Sequence, residues 1–315
     1  MTRALAGLAA LVLVAGCRQP EAPPTEPAPP ALASGLAQRL QTAGLAATTL
    51  DVERVDSLEV YALAEAETKA GSFLVQWADL RHVAVEQVLG DTTRQAATSG
   101  AFVPGSASPF FAMLAPDSVV SASAGSGLLL VMNGAFFETP GEPSTQLAFP
   151  LAVDGEIVTG GSSPNGPGQA GTLRRRLNRR WDRPLRALAL GGLAAQIVDV
   201  DTASGEPLGR GDFRDAMASY APEAHPTRRA TRFHLMGALD RDENGAAEML
   251  VIVTNDGRST IDDTGAVLDT LGVAPEARIA PDGGASVFVW NRARGVLHRP
   301  AGGQSLPHYL TLRLR

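Results

Sequence analysis

The sequence predicts an α/β chain of the mixed α+β kind: one large domain in which a mixed β-sheet is flanked by helices. Three observations predict it. Residues 249–254 form a short apolar run rich in β-branched side chains, and the run ends in the turn signal Asn255-Asp256-Gly257. Residues 261–271 place apolar side chains at Ile261, Ala266, Val267, Leu268 and Leu271 and stop at Gly272, as an amphipathic helix of about three turns does. The chain then returns through Arg278-Ile279-Ala280 and Pro281-Asp282-Gly283-Gly284-Ala285-Ser286 into the apolar run 287–290. Strand, helix and strand within about forty residues predict a crossover unit. Asp256 and Asp282 fall at or just beyond its strand ends, where open α/β sheets usually place their sites.

The chain has 315 residues, and its start reads as processing signals rather than fold. Arg3 supplies a small positive region, and residues 4–14 are almost wholly apolar but too short to span a membrane. Leu13-Val14-Ala15-Gly16-Cys17 has the form of a bacterial lipobox. The expectation is cleavage of residues 1–16 as a lipoprotein signal, a lipid on Cys17, and anchoring in the cell envelope. Arg18 and Gln19 rather than aspartate follow the cysteine, which favours the outer membrane. Cys17 is the sole cysteine, so no intramolecular disulfide forms and no thiol nucleophile lies elsewhere in the chain. Residues 17–33 are rich in Pro, Ala and Glu and read as a semi-rigid tether.

Residues 34–315 then remain as one domain, ample for a single large core. Without Arg3 the mature chain carries 26 basic against 33 acidic residues, a net charge of −7. Such a chain, with no basic and aromatic interleaving, argues against nucleic acid as a partner.

Leu32, Leu36, Leu40 and Leu45 mark a first helix, and residues 51–63 and 71–89 read as strands. Phe102, Phe110 and Phe111 sit in a Gly/Pro/Ser-rich stretch and read as loop aromatics packed on the core, with sugar stacking as the alternative. Residues 128–132 form a buried-strand run that delivers Asn133-Gly134. Two readings of that pair stay open: an amide pointed at a sugar or phosphate, or a type I′ hairpin turn. Residues 160–171 read as a loop. Arg174, Arg175, Arg176, Arg179 and Arg180 form a basic cluster, read as a solvated face, with an anionic surface or phosphorylated glycan as the alternative.

Asp240-Arg241-Asp242-Glu243-Asn244-Gly245 resembles the start of a calcium loop. Val251 stands where the closing glutamate belongs, so a hairpin turn is the better reading and calcium has weak support. His82, His225, His234, His298 and His308 show no zinc spacing. No cofactor is expected. There is neither a GxSxG elbow nor a Walker loop.

The Pro-Asp-Gly of residues 281–283 reads as a β-turn when taken alone. Taken with its surroundings, Asn255-Asp256-Gly257-Arg258-Ser259, a helix, and Pro281-Asp282-Gly283-Gly284-Ala285-Ser286 resemble the C-terminal half of the phosphodiester glycosidase family. Upstream, Asn133-Gly134-Ala135-Phe136-Phe137 is similar to that family's NGGFF segment, and residues 150–156 to the hairpin that follows it. Residues 226–231 resemble its PRTAIG element, and Ala135 and Ala285 stand where the family usually has glycine. The likeness covers residues 131–290, around half of the chain.

The resemblance implies a glycoside hydrolase that cleaves a sugar-1-phosphodiester on an envelope or extracellular glycan. It implies Asp282 as the first catalytic carboxylate and Asp256 as the second. Arg229 or Arg258 would clamp the phosphate. Asn133, Gly134, Gly283, Gly284 and Ser286 would shape the substrate site. The implied partner is a phosphorylated glycan, with the membrane engaged through the lipid anchor. Two alternatives stay open: a non-catalytic glycan-binding or envelope-assembly lipoprotein on the same fold, and an enzyme for an ordinary glycosidic or peptidoglycan bond.

Overall fold

A computed structural model describes residues 35–94, 109–125, 127–137, 143–161, 183–200, 208, 214–241 and 244–315. The lipobox and Cys17, the tether, Phe102, most of the 160–171 loop and the arginine cluster at 174–180 lie outside them. The described residues belong to one compact unit.

The chain opens with α1 (Leu36–Thr42), β1 (Ala46–Val55), β2 (Leu58–Thr68), β3 (Gly71–Asp79) and β4 (Val83–Leu89). Leu36 and Leu40, four residues apart, bury the inner stripe of α1. The Glu59 carboxylate accepts the Leu36 N–H at 2.8 Å, satisfying a donor that the start of the helix leaves open. Asp56 and Ser57 turn β1 into β2 with φ of 47° and 71°, as a type I′ hairpin requires. Next come β5 (Thr92–Arg94), β6 (Phe110–Ala112), α2 (Pro116–Ser123), β7 (Leu128–Asn133) and β8 (Ser144–Thr145). Then follow β9 (Leu151–Val153), β10 (Glu156–Thr159), β11 (Leu185–Gly191), β12 (Ala194–Val200), β13 (Asp215–Tyr220) and β14 (His234–Leu239). The last third holds β15 (Met249–Asn255), α3 (Ile261–Thr270), β16 (Arg278–Ile279), β17 (Val289–Asn291), β18 (Gly295–His298) and β19 (His308–Leu314).

The strands form a six-stranded sheet in the order β1-β2-β3-β15-β14-β16, five-stranded sheets β10-β9-β13-β11-β12 and β18-β17-β7-β19-β4, and a small β5-β6-β8 sheet. Every strand pairing in the six-stranded sheet is antiparallel. The predicted mixed sheet flanked by helices is therefore corrected: the fold is mainly β, built from several antiparallel sheets.

The reason lies in what covers each face. On one side of the large sheet, Phe73, Val75, Trp77, Val251 and Val253 meet Leu36 and Leu40 of α1 and Val267 and Leu268 of α3. On the other, Tyr61, Leu63, Met236 and Ile252 meet Leu130, Met132, Leu310 and Leu312 of the β7 sheet. A sheet does there what the prediction gave to helices. Strand alternation sends Ala62 and Ala64 to the first core and Tyr61 and Leu63 to the second. Each fully buried leucine contributes about 1.5–3 kcal/mol by leaving water.

The crossover itself is present in altered form. β15 and β16 both pair antiparallel with β14, so they run parallel to each other with β14 between them. Their link, α3, starts on a capping box: the Asp263 N–H donates to the Thr260 hydroxyl at 3.2 Å, and the Asp263 carboxylate accepts the Thr260 N–H at 2.8 Å. This crossover brings the Asp282 turn back beside the end of β7.

Candidate functional site

β7 ends on Asn133, which is 2% exposed. Asn133-Gly134 makes no type I′ turn: neither residue has a positive φ, and β7 pairs with β17 and β19. The Asn133 amide N–H donates to the Asp282 carbonyl at 2.8 Å. Its carbonyl oxygen accepts the Phe288 N–H at 2.8 Å and lies 2.8 Å from His234 Nε2. That oxygen only accepts, so Nε2 carries the His234 proton, and Nδ1 accepts from the Thr254 hydroxyl at 2.8 Å. Burial, reinforced by the nearby His298, pushes His234 down to about 3 and keeps it neutral. Asn133 thus ties β7 to the Asp282 turn from beneath, its amide taken up by protein groups.

Gly134 continues the same scaffold. Its carbonyl accepts the Asp282 N–H at 2.9 Å. A Cβ here would lie 2.6 Å from His308 Nδ1 and 3.2 Å from Met217 Sδ, so the close approach requires glycine. His308 Nδ1 accepts the Ala135 N–H at 2.9 Å, which leaves Nε2 to donate to the Gln87 side-chain oxygen at 3.2 Å. Burial pushes His308 down to about 3. Two neutral histidines therefore brace one short loop.

Asp282 is 7% exposed, and one carboxylate oxygen accepts the Gly283 N–H at 3.0 Å. Gly284 adopts a φ of +64° and donates its N–H to the Arg232 carbonyl at 2.8 Å. A Cβ on Gly283 would come within 2.9 Å of that same carbonyl. Ser286 is buried, and its N–H donates to the Gly283 carbonyl at 3.3 Å. Below the turn, the Ser219 hydroxyl donates to the Ala280 carbonyl.

Beside this turn opens a recess of about 250 Å³, lined by Phe136, His225, Arg229, Phe233, Gly283 and Gly284 among others. Arg229 is exposed, and its guanidinium makes no hydrogen bond or ion pair among the described residues. Its neighbour Arg228 is engaged, by Asp262 and by the Pro222 carbonyl at 3.0 Å.

The structure places Asp256 and Arg258 apart from this recess. One Asp256 oxygen accepts the Arg258 N–H at 2.9 Å; the other accepts Arg258 Nε at 2.6 Å and the Ser72 N–H at 3.3 Å. Burial raises the Asp256 pKa, but the bonds from Arg258 and Ser72 outweigh it and hold the carboxyl below its ordinary value. Arg258 lines a second recess of about 330 Å³, with Lys69, Gly71 and Ser72. Of the residues singled out from sequence, Asp282, Gly283, Gly284 and Ser286 thus form one turn braced by Asn133 and Gly134, with Arg229 in its recess. Asp256 and Arg258 pair with each other.

Sequence reasoning missed the histidines and Arg232. His234 opens an otherwise apolar strand, and a buried imidazole needs a partner, which was the available signal. Arg232 touches both glycine turns: its carbonyl holds Gly284, and its Cγ would lie 3.1 Å from a Cβ on Gly257. Burial and the charge of Arg232 push His298 down to about 4, against the pull of Asp256.

The calcium-like segment connects β14 to β15. Asp240 accepts the Asn244 and Gly245 N–H groups at 3.2 and 2.7 Å, and Asn244 accepts the Ala246 N–H at 2.9 Å. Asp242 and Glu243 lie outside the described residues.

No protein-family model matches the sequence, and no curated protein matches it. Several solved structures are similar to it at low identity. The catalytic domain of zebrafish N-acetylglucosamine-1-phosphodiester α-N-acetylglucosaminidase, auto-inhibited by its pro-peptide, is 12% identical with a TM-score of 0.48, over 85% of this chain and 88% of that one. An exported protein of Burkholderia pseudomallei is 11% identical with a TM-score of 0.44, over 88% of each chain. A hypothetical protein from Synechocystis is 12% identical with a TM-score of 0.43 over 84% of this chain, which spans 64% of that protein's length.

Proposed function

We propose that this chain hydrolyses a sugar-1-phosphodiester in the recess beside Asp282. The observation that carries the reading is an unengaged cation facing a braced carboxylate turn: Arg229 lines the same recess as Gly283 and Gly284, next to Asp282. The motif resemblance supports it. An arginine presents two parallel N–H groups to a phosphate, and Arg229 has no protein carboxylate competing for them among the described residues. In the reaction the bond from sugar C1 to the phosphodiester oxygen breaks, and the phosphomonoester leaves with the bonding pair. Water adds its hydroxyl to C1, and its proton passes to Asp282 or to the leaving phosphate. Asp282 faces the positive charge that develops on the sugar ring.

A second reading, a non-catalytic glycan-binding lipoprotein, is favoured by one observation. The other carboxylate of the motif pair, Asp256, is bound by Arg258 and Ser72 rather than offered to the Arg229 recess. Turnover of a sugar-1-phosphodiester, compared with an aryl glycoside of the same sugar, separates the readings. The proposal expects cleavage of the phosphodiester and little of the glycoside. Cleavage of the glycoside alone supports an ordinary glycosidase, and binding without cleavage of either supports the lipoprotein. We place the enzyme at the bacterial envelope through a lipid on Cys17. Palmitate labelling that persists in Cys17→Ser would end that placement.

A further inference from the structure

His225 belongs to no motif, yet it is the most unusual group in the recess. It is 6% exposed and packed among rings, with centroids 5.2 Å from Phe233, 5.4 Å from Tyr220 and 5.9 Å from Phe136. Its Nδ1 is held by Thr227, 3.1 Å from both the N–H and the carbonyl oxygen. Its Nε2 is buried and has no hydrogen-bond partner among the described residues. Buried polar atoms are nearly always partnered, because leaving one unmade forfeits the hydrogen bond it had with water. An unfilled nitrogen on a residue that lines a recess points to a ligand atom as the missing partner.

The chemistry of that atom can be specified. Burial lowers the His225 pKa, with the bond to Thr227 opposing, so the ring is neutral near pH 7. Its Nε2 then bears a lone pair or a proton, according to which Thr227 group Nδ1 engages. A hydroxyl suits both states, since it donates and accepts. Phe136 and Phe233 line the same recess and offer apolar surface to the C–H groups of a sugar ring. Arg229 adds an unengaged cation.

We propose that His225 is the specificity-determining residue of this recess, its Nε2 hydrogen-bonding a hydroxyl of the sugar whose phosphate meets Arg229. The proposal rests on the sugar-phosphate reading above and adds the residue that distinguishes a sugar phosphate from phosphate alone.

The test titrates wild type, His225→Phe and His225→Gln with inorganic phosphate, glucose 1-phosphate and N-acetylglucosamine 1-phosphate, and records thermal melting alongside. Phenylalanine keeps the ring packing and removes the nitrogens; glutamine retains a donor and an acceptor. The expected result is inorganic phosphate binding unchanged in all three proteins, with sugar phosphate affinity reduced about 10-fold or more in His225→Phe. His225→Gln should recover part of that loss. Should His225→Phe fail to fold, the ratio of sugar phosphate to phosphate affinity in His225→Gln decides, and a fall in that ratio supports the proposal. Sugar phosphate affinity equal to wild type in folded His225→Phe overturns this inference alone. A parallel loss of phosphate and sugar phosphate makes His225 structural and overturns it as well. A wild type that binds none of the three ligands overturns the sugar-phosphate reading, and the inference with it.

Discussion

Asp256 and Asp282 sit at the two ends of one strand–helix–strand unit, each followed by glycine, and they differ in what their neighbours demand of them. Asp256 is occupied by its own loop: Arg258 and the Ser72 N–H take both oxygens, and the Arg258 side chain is 73% exposed. Asp282 is held through its backbone. Asn133 takes its carbonyl and Gly134 its N–H, while His234 and His308 hold those two residues in place. The contrast teaches that a similar local motif can end in a surface ion pair or in a turn fixed from below. Fixing the backbone of a turn also fixes where its carboxylate sits, which suits a group that acts on a ligand.

The comparison breaks most visibly at Asn133. Replacing Asn133 with Ala leaves the Phe288 N–H, His234 Nε2 and the Asp282 carbonyl without their partner. Each buried group left unmade costs about 1–3 kcal/mol, so a total loss of about 3 kcal/mol or more is expected in urea unfolding. A loss below about 1 kcal/mol would remove the brace from the account.

Acid separates the two ends next. His234 and His308 are neutral in the fold, each pushed down to about 3 from an ordinary 6.5. Below 6.5 the unfolded chain takes up protons that the folded chain refuses, so stability falls as pH drops from 6.5 towards 3. At pH 5 each histidine costs about 2 kcal/mol. Asp256 acts in a lower window, because its depressed pKa withdraws stability only as pH falls below 3.8 and through its folded value. Urea midpoints measured from pH 7 to 4 check this, and a flat profile across that range would contradict buried neutral histidines.

The smallest effect belongs to Asp256→Asn. It keeps an acceptor for the Ser72 and Arg258 N–H groups and loses an ion pair whose arginine is mostly in water, where such pairs stabilise little. The expected urea midpoint is close to wild type, and phosphodiester turnover should persist. Loss of turnover with the midpoint intact would restore Asp256 as a chemical partner of Asp282.

The sequence made β7, β15 and the third helix legible because their signals are local. β15 is a β-branched run with a turn signal behind it, and α3 carries its apolar spacing and a stop at Gly272. The fold class was not legible. A fully buried run such as β7 has the same composition whether a helix or a sheet lies on top of it, and here a sheet covers the face assigned to helices. Within the site, Asp282-Gly283-Gly284 and Asn133-Gly134 stood out through glycine and turn chemistry. Their hydrogen bond spans 149 residues and leaves no periodic trace. His225, His234 and His308 each act singly, so no spacing rule finds them.

The most direct measurement is phosphodiester turnover by Asp282→Asn, with thermal melting recorded beside it. Asparagine is nearly isosteric and keeps an oxygen for the Gly283 N–H, and the Asn133 and Gly134 bonds go to the backbone, so melting should match wild type. Removing a positioned carboxylate should lower turnover by about 10²–10⁴-fold. Near wild-type turnover in a normally folded variant would contradict the account and leave Asp282 as a turn residue.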